Sequence, residues 1–250
     1  MHITQFLIVC PLVMLAGFID AIVGGGGLIS VPAYMLAGLP VHASIATNKL
    51  SSFCGTCIST GRYAKAGYIH LKESIPVILC ALAGSAIGAR IALVIPDRTF
   101  KIIMLVLLPL IALYILRDHS LFKAGEPYSQ KRTILTAMAV AFGIGAYDGF
   151  YGPGAGTFML LLLLKVAHMP LNDANGMAKI INLCTNLSAL AVYLFSGNVY
   201  VTLGLAAAAF SIAGNYIGVS LFKKGGSKIV KPIMVAVLVL FFIKVLTEII

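Results

Sequence analysis

The sequence predicts an all-α polytopic membrane protein made of two inverted repeats, each with about five hydrophobic segments. Three observations carry this expectation. The chain has 250 residues, 60% of them hydrophobic and only 10% charged, against about 25% charged in an ordinary soluble domain. Its apolar stretches are continuous, as in "IIMLVLLPLIALYIL" and "IMVAVLVLFFI", whereas a membrane β-barrel would alternate apolar and polar residues in segments of about ten. The second half of the chain also repeats the first, and a repeat is the first thing to look for because it decides the architecture.

The repeat is legible residue by residue. Asp20 pairs with Asp148, Gly24 with Gly152 and Gly26 with Gly154, all 128 residues apart. After a two-residue slip the offset becomes 130, and Pro40 pairs with Pro170, Lys49 with Lys179, Cys54 with Cys184, and Tyr63 with Tyr193. "AGSAIG" at 83–88 matches "AGNYIG" at 213–218. The first repeat occupies residues 1–117 and the second 132–250, joined by a polar linker at 118–131.

In the first repeat the expected segments are 3–23, 27–39, 42–64, 72–94 and 98–116; in the second they are 132–150, 155–168, 172–195, 199–222 and 228–249. Most are long enough to span the roughly 30 Å of hydrocarbon, which takes about 20 helical residues. The second segment of each half is too short at 1.5 Å per residue. It either shares a crossing with glycine-broken backbone or dips in and returns, so the chain has 8–10 transmembrane segments. The N-terminal segment lacks the basic start of a signal peptide and has a partner in the second half, so it is expected to be retained.

Charge orients the repeats. If the short segments count as passes, each half makes an odd number and the halves invert. One face then collects twelve cations, among them Arg62, Lys65, Lys131 and Lys223, while the other has Arg90, Arg98 and Lys101. Parallel repeats would split the same residues almost evenly, seven to eight. Cationic loops collect on the cytoplasmic side, so inversion is expected, with the linker cytoplasmic and both termini outside. The net charge of +10 reflects loops against anionic lipid rather than a nucleic-acid surface.

Each half interrupts its apolar run with glycines: "DAIVGGGG" at 20–27 and "DGFYGPGAG" at 148–156. In lipid, non-helical backbone survives only where protein buries it or it lines a cavity. Matched breaks in inverted repeats point to a secondary transporter with a site near the midplane. Half-helices starting near Leu28 and Thr157 would present free amides and a positive dipole end, which suits an anion. Gly24, Gly25, Gly26, Gly27, Gly152, Gly154 and Gly156 are therefore candidate solute contacts. The other reading is that these glycines only let helices cross closely, which is the role expected for "GSAIG" and "GNYIG".

Charged residues inside spans are functional by default. Lys49 and Lys179 each lie about two turns into a third segment, too deep for an easy snorkel to the interface. They are candidate anion ligands. Asn48, Asn182, Asn186 and Ser52, with Thr47 and Ser51 nearby, supply donors on the same helices. Asn182 and Asn186 stand three and seven residues beyond Lys179, on one helix face with it. Asp20 and Asp148 precede the breaks. They are either proton carriers for coupling, or caps and ion-pair partners of the two lysines. His42 and His168, at segment ends, are given no role. Five cysteines, including the C-x-x-C of Cys54 and Cys57, read as small packing residues, and no metal or cofactor is expected.

An acidic residue before a glycine-rich break, the short return, the Asn/Lys helix and the later A-G-x-x-I-G together resemble the TauE/SafE family of sulfite exporters and related permeases. The likeness runs through both copies. It implies a multi-pass inner-membrane protein that moves sulfite, sulfonates or other small organic anions. This chain departs from its own symmetry where Asn48 faces Ala178 and "GGGG" faces "GPGAG". The expected function is alternating-access anion transport around a central site at the repeat interface. The alternative is an anion channel with a glycine-lined filter. No enzyme motif is present: neither H-E-x-x-H nor G-x-S-x-G occurs. Expected partners are a small anionic solute and the lipid bilayer, with a homo-oligomer left open and no nucleic acid.

Overall fold

A computed structural model describes residues 2–96 and 128–225, with residues 99, 126, 228, 232, 233 and 236 besides. Apart from these single residues, the expected segments 98–116 and 228–249 and most of the linker lie outside the described residues. Among the described residues there are eight helices and no strand. They are α1 (Ile3–Val23), α2 (Gly27–Leu36), α3 (Val41–Lys65), α4 (Leu71–Val94), α5 (Gln130–Phe150), α6 (Ala155–Lys165), α7 (Leu171–Phe195) and α8 (Val201–Gly225).

Five of these, α1, α4, α5, α7 and α8, are long and apolar enough to cross a membrane. Their outward faces carry large hydrophobic side chains such as Val94, Phe195 and Leu79, as contact with lipid requires. The helix α3 is different. It is long, but its inner face carries Ser44, Thr47, Asn48, Lys49, Ser51, Thr56, Ser59 and Thr60, all buried. A helix this polar holds its place because α7 and α8 pack against it and keep those groups from lipid.

The short helices return. The side-chain amide of Gln5 in α1 donates from Nε2 to the Ala37 carbonyl just past α2 at 3.0 Å. At the other end of α2, a Cβ on Gly26 would lie 2.5 Å from the Ala16 carbonyl of α1. The helix therefore runs back along α1 to the face from which α1 starts. With 10 and 11 residues, α2 and α6 extend only about 15 Å at 1.5 Å per residue, so neither crosses alone.

The helix pairs give direction. Gly84 of α4 meets Phe142 of α5, and Gly88 four residues on meets Ala146, so α4 and α5 run parallel. Gly214 of α8 meets Met14 of α1, and Gly218 meets Phe18, so α1 and α8 run parallel too. The helices α1 and α3 also share a direction: Gly17 and Gly55 both face Ser211 and Asn215, and Tyr63 near the end of α3 donates to Ala21 near the end of α1 at 3.0 Å. The helix α4 runs back, because a ring nitrogen of His42 at the start of α3 meets the Ala92 carbonyl at the end of α4 at 2.9 Å. So α5, parallel to α4, opposes its counterpart α1. The halves are inverted and interlocked, first helix of one against fourth helix of the other. The small-xxx-small pairs sit at those contacts, where an added Cβ at Gly88 or Gly214 would overlap the Ala146 or Met14 carbonyl.

Candidate functional site

Two helices position the lysines in the same way. Pro40 precedes α3 and Pro170 precedes α7, where a missing N–H costs nothing and the fixed φ favours a helix start. The Pro40 carbonyl accepts from Ser44 and the Pro170 carbonyl from Ala174, both at 2.8 Å. Lys49 and Lys179 are each the ninth residue of their helix, and each is 1% exposed.

Each lysine pairs with the aspartate of the other half. Lys49 Nζ lies 2.9 Å from Asp148 Oδ1. Lys179 Nζ lies 3.9 Å from Asp20 Oδ2 and donates to the Asp20 main-chain carbonyl. A buried charge without a partner costs several kcal/mol on the order-of-magnitude scale for ions leaving water, and the crossed pairs give each buried lysine a carboxylate partner. They also tie the halves together. Of the two readings of the aspartates, ion pairing is the geometry present.

The other candidates gather unevenly. Asn182 donates from Nδ2 to Asp20 Oδ2 at 3.1 Å. Asn186 in turn donates to the side-chain and main-chain oxygens of Asn182 at 2.9 and 2.7 Å. Lys179, Asn182, Asn186 and Asp20 thus form one connected array. On the other side Ser52 donates to Asn48 Oδ1 at 3.3 Å, and Ser51 donates to the Asn48 carbonyl at 3.1 Å. Gly152 touches the centre directly: a Cβ there would be 3.2 Å from both Lys49 Nζ and Asp148 Oδ1.

The glycine breaks meet one another. A Cβ on Gly24 would lie 2.5 Å from the Thr157 amide nitrogen, and one on Gly156 would lie 2.9 Å from Gly24 Cα. These two glycines are filled by each other's backbone, and Gly27 lies against Pro153. Gly26 and Gly154 cap the short helices without a side-chain hydrogen bond. The helix starts are less open than the sequence suggests. The amides of Leu28 and Ile29 already donate to Gly25 and Gly26 at 3.0 Å, and that of Ala155 donates to Gly152 at 2.9 Å. Gly25 and Gly154 have positive φ, 84° and 81°, a backbone state that favours glycine.

Several residues of the array were not singled out from sequence. Tyr63 and Tyr193, fully buried, donate to the carbonyls of Ala21 and Gly149, each one residue past its half's aspartate, at 3.0 and 2.9 Å. Asn175 donates to the Ile22 carbonyl at 2.8 Å and to Tyr63 at 3.1 Å. Thr60 donates to the Lys179 carbonyl at 3.1 Å. The tyrosines' shared offset in the repeat was the available signal; Asn175 and Thr60 carried none. His42 and His168 stay at the periphery. His168 meets the Glu126 carbonyl through Nδ1 at 2.6 Å and stacks on Tyr128 with centroids 3.9 Å apart. Among the described residues no group of three or more His, Cys, Asp or Glu is placed to hold a metal.

Inverted halves, returning half-helices and buried ion pairs between the halves define a multi-pass membrane transport protein. The chain belongs to the sulfite exporter TauE/SafE family, whose profile matches residues 9–245. It is 34% identical over 247 residues to the probable membrane transporter protein ORF9 of Sinorhizobium sp., covering 99% of this chain and 94% of the relative. It is 32% identical to the probable membrane transporter protein YfcA of Escherichia coli K12, covering 94% and 87%. A probable membrane transporter protein of Haemophilus influenzae is 31% identical, covering 88% and 86%. No solved structure matches the chain.

Proposed function

We propose that this protein is a secondary transporter of small anions, with sulfite, sulfonates or related organic anions as solute, working by alternating access in the inner membrane. The observation that supports this reading is the crossed pairing of Lys49 with Asp148 and Lys179 with Asp20. A small anion needs a buried cation, and two are present. In the unloaded state each is held by a carboxylate of the opposite half. A solute binds when a carboxylate gives up its lysine, by accepting a proton or another cation in the lysine's place. Asp148 meets Lys49 through Oδ1, while its Oδ2 is buried and has no hydrogen-bond partner among the described residues. Because each pair joins the two halves, opening it loosens one half against the other. Asn182, Asn186, Asn48 and Ser52 then supply neutral donors beside the ammonium groups. The contact of Gly24 with Gly156 weighs against a glycine-lined filter, because these glycines face backbone.

Reconstitution into liposomes tests this. Uptake of labelled sulfite or sulfoacetate should saturate and show counterflow, and Lys49→Met and Lys179→Met should each reduce it to background. Undiminished flux in both variants would remove the lysines from the site. Flux without saturation or counterflow would make the protein a channel.

A further inference from the structure

The two aspartates stand beside cavities of different chemistry. The one next to Asp20 has a volume of about 10 Å³, room for roughly one water-sized occupant. Five of its lining residues carry side-chain oxygen: Asp20, Ser30, Ser52, Ser211 and Asn215. Among the described residues neither imidazole nor thiol lines it. Ser30, Ser211 and Asn215 are 2%, 3% and 1% exposed. The Asn215 Nδ2 donates to the Ser211 carbonyl at 3.0 Å, which settles which end of the amide is oxygen, because a carbonyl accepts only a donor. That leaves Asn215 Oδ1 buried with no partner among the described residues. An unpaired buried acceptor is costly. Gly17 and Gly55 make the space for this asparagine, since a Cβ on either would crowd its amide, to 2.9 and 2.5 Å.

The second half lacks this oxygen set. At an offset of 130, Asn215 corresponds to Ser85 and Ser211 to Ala81, while the place of Ser30 falls on the apolar run 158–160. The Ser85 hydroxyl is already satisfied by the Thr185 carbonyl at 2.7 Å. Among the described residues the cavity beside Asp148, of the same volume, is lined by Ile144, Met159 and Ile181, with Asn182 and Thr185 as the further polar side chains.

We infer that the Asp20 cavity is a binding site for one small hard monovalent cation, Na⁺, and that the Asp148 side has no such site. One carboxylate with neutral oxygens is the donor set that hard cations take, and a single negative charge suits a single positive one. Broken helices in transporters place coupling ions at this kind of position. The role of the site in transport rests on the anion-transport reading; the binding itself does not. Asp20 is also the partner of Lys179. A cation on Asp20 weakens that pair and leaves Lys179 with uncompensated charge, which an anionic solute then neutralises. Cation and anion therefore each favour the other's binding, on one side of the pseudo-symmetric centre only.

Thermal unfolding and ²²Na⁺ binding of the full-length protein in detergent, without any anionic solute beyond chloride, test the site. At constant ionic strength Na⁺ should raise the unfolding midpoint saturably, and K⁺ or choline should not. Asn215→Ala should weaken Na⁺ binding about tenfold or more, the loss expected for one ligand to a charged group. Ser30→Ala is the second variant should Asn215→Ala fail to fold. Ser85→Ala, in the other half, should leave the Na⁺ response unchanged. Equal stabilisation by all three cations, or unaltered Na⁺ affinity in the Asn215 and Ser30 variants, would overturn the proposal and leave the cavity to a water. Na⁺ binding with anion flux indifferent to Na⁺ would overturn the coupling. Anion flux undiminished in both lysine variants, with Na⁺ binding intact, would instead fail the anion reading alone.

Discussion

At the scale of single residues, the centre depends on charge balance. Removing Lys49 leaves Asp148 buried without its cation, a change that costs about 3–5 kcal/mol in such pairs. Lys49→Met should therefore lower the unfolding midpoint as well as abolish flux. Replacing both partners, Lys49→Met with Asp148→Leu, should recover most of the stability, since an apolar pair of similar size is often neutral, and should not recover flux. Thermal unfolding set beside proteoliposome uptake separates the two effects. If the double variant stays as unstable as the single one, Lys49 is holding something other than Asp148. The lysines, aspartates and asparagines were legible in the sequence because ionisable groups in apolar segments stand out. Which lysine faces which aspartate was not, because 99 residues separate Lys49 from Asp148 and nothing local relates them.

At the scale of elements, the glycines divide by what they meet. Gly24 has φ 77° and sits on the backbone of Gly156 and Thr157. An alanine there would strain its own backbone and push the two breaks apart, so Gly24→Ala should prevent accumulation of folded protein. Gly88→Ala should part α4 from α5, because its Cβ would overlap the Ala146 carbonyl. Gly143 lies within α5 with nothing within 4 Å of an added Cβ. Gly143→Ala should be neutral or stabilise by up to about 1 kcal/mol, the helix-propensity gain. Unfolding midpoints of the three variants check the ranking; a destabilised Gly143→Ala with a tolerated Gly24→Ala would reverse it. From sequence Gly24 reads as part of a break and Gly88 as a packing site, and Gly143 carries no reading. That the two breaks fill one another could not be read, because each is explained equally well by a solute.

At the scale of the whole molecule, the interlocked inversion sets which loops share a face. If the linker is cytoplasmic, as the loop cations lead one to expect, a single cysteine placed at Ser129, before α5, in a background freed of the five native cysteines should be labelled only from the cytoplasmic side. One at Asn198, between α7 and α8, should react only from outside. Impermeant maleimide labelling of cells and of inside-out vesicles reads this, and labelling of both from one side would refute the inversion. The sequence by itself determined the membrane class, the repeat, the position of the breaks and the asymmetry of cations between the faces, because composition, periodicity and loop charge are properties of the chain in order. Only the tertiary structure decided that the short helices return, that the ion pairs cross between halves, and that Asn215, whose Oδ1 has no partner among the described residues, lines one cavity with Asp20. Those depend on which surfaces of two inverted units meet, and both units carry nearly the same surfaces.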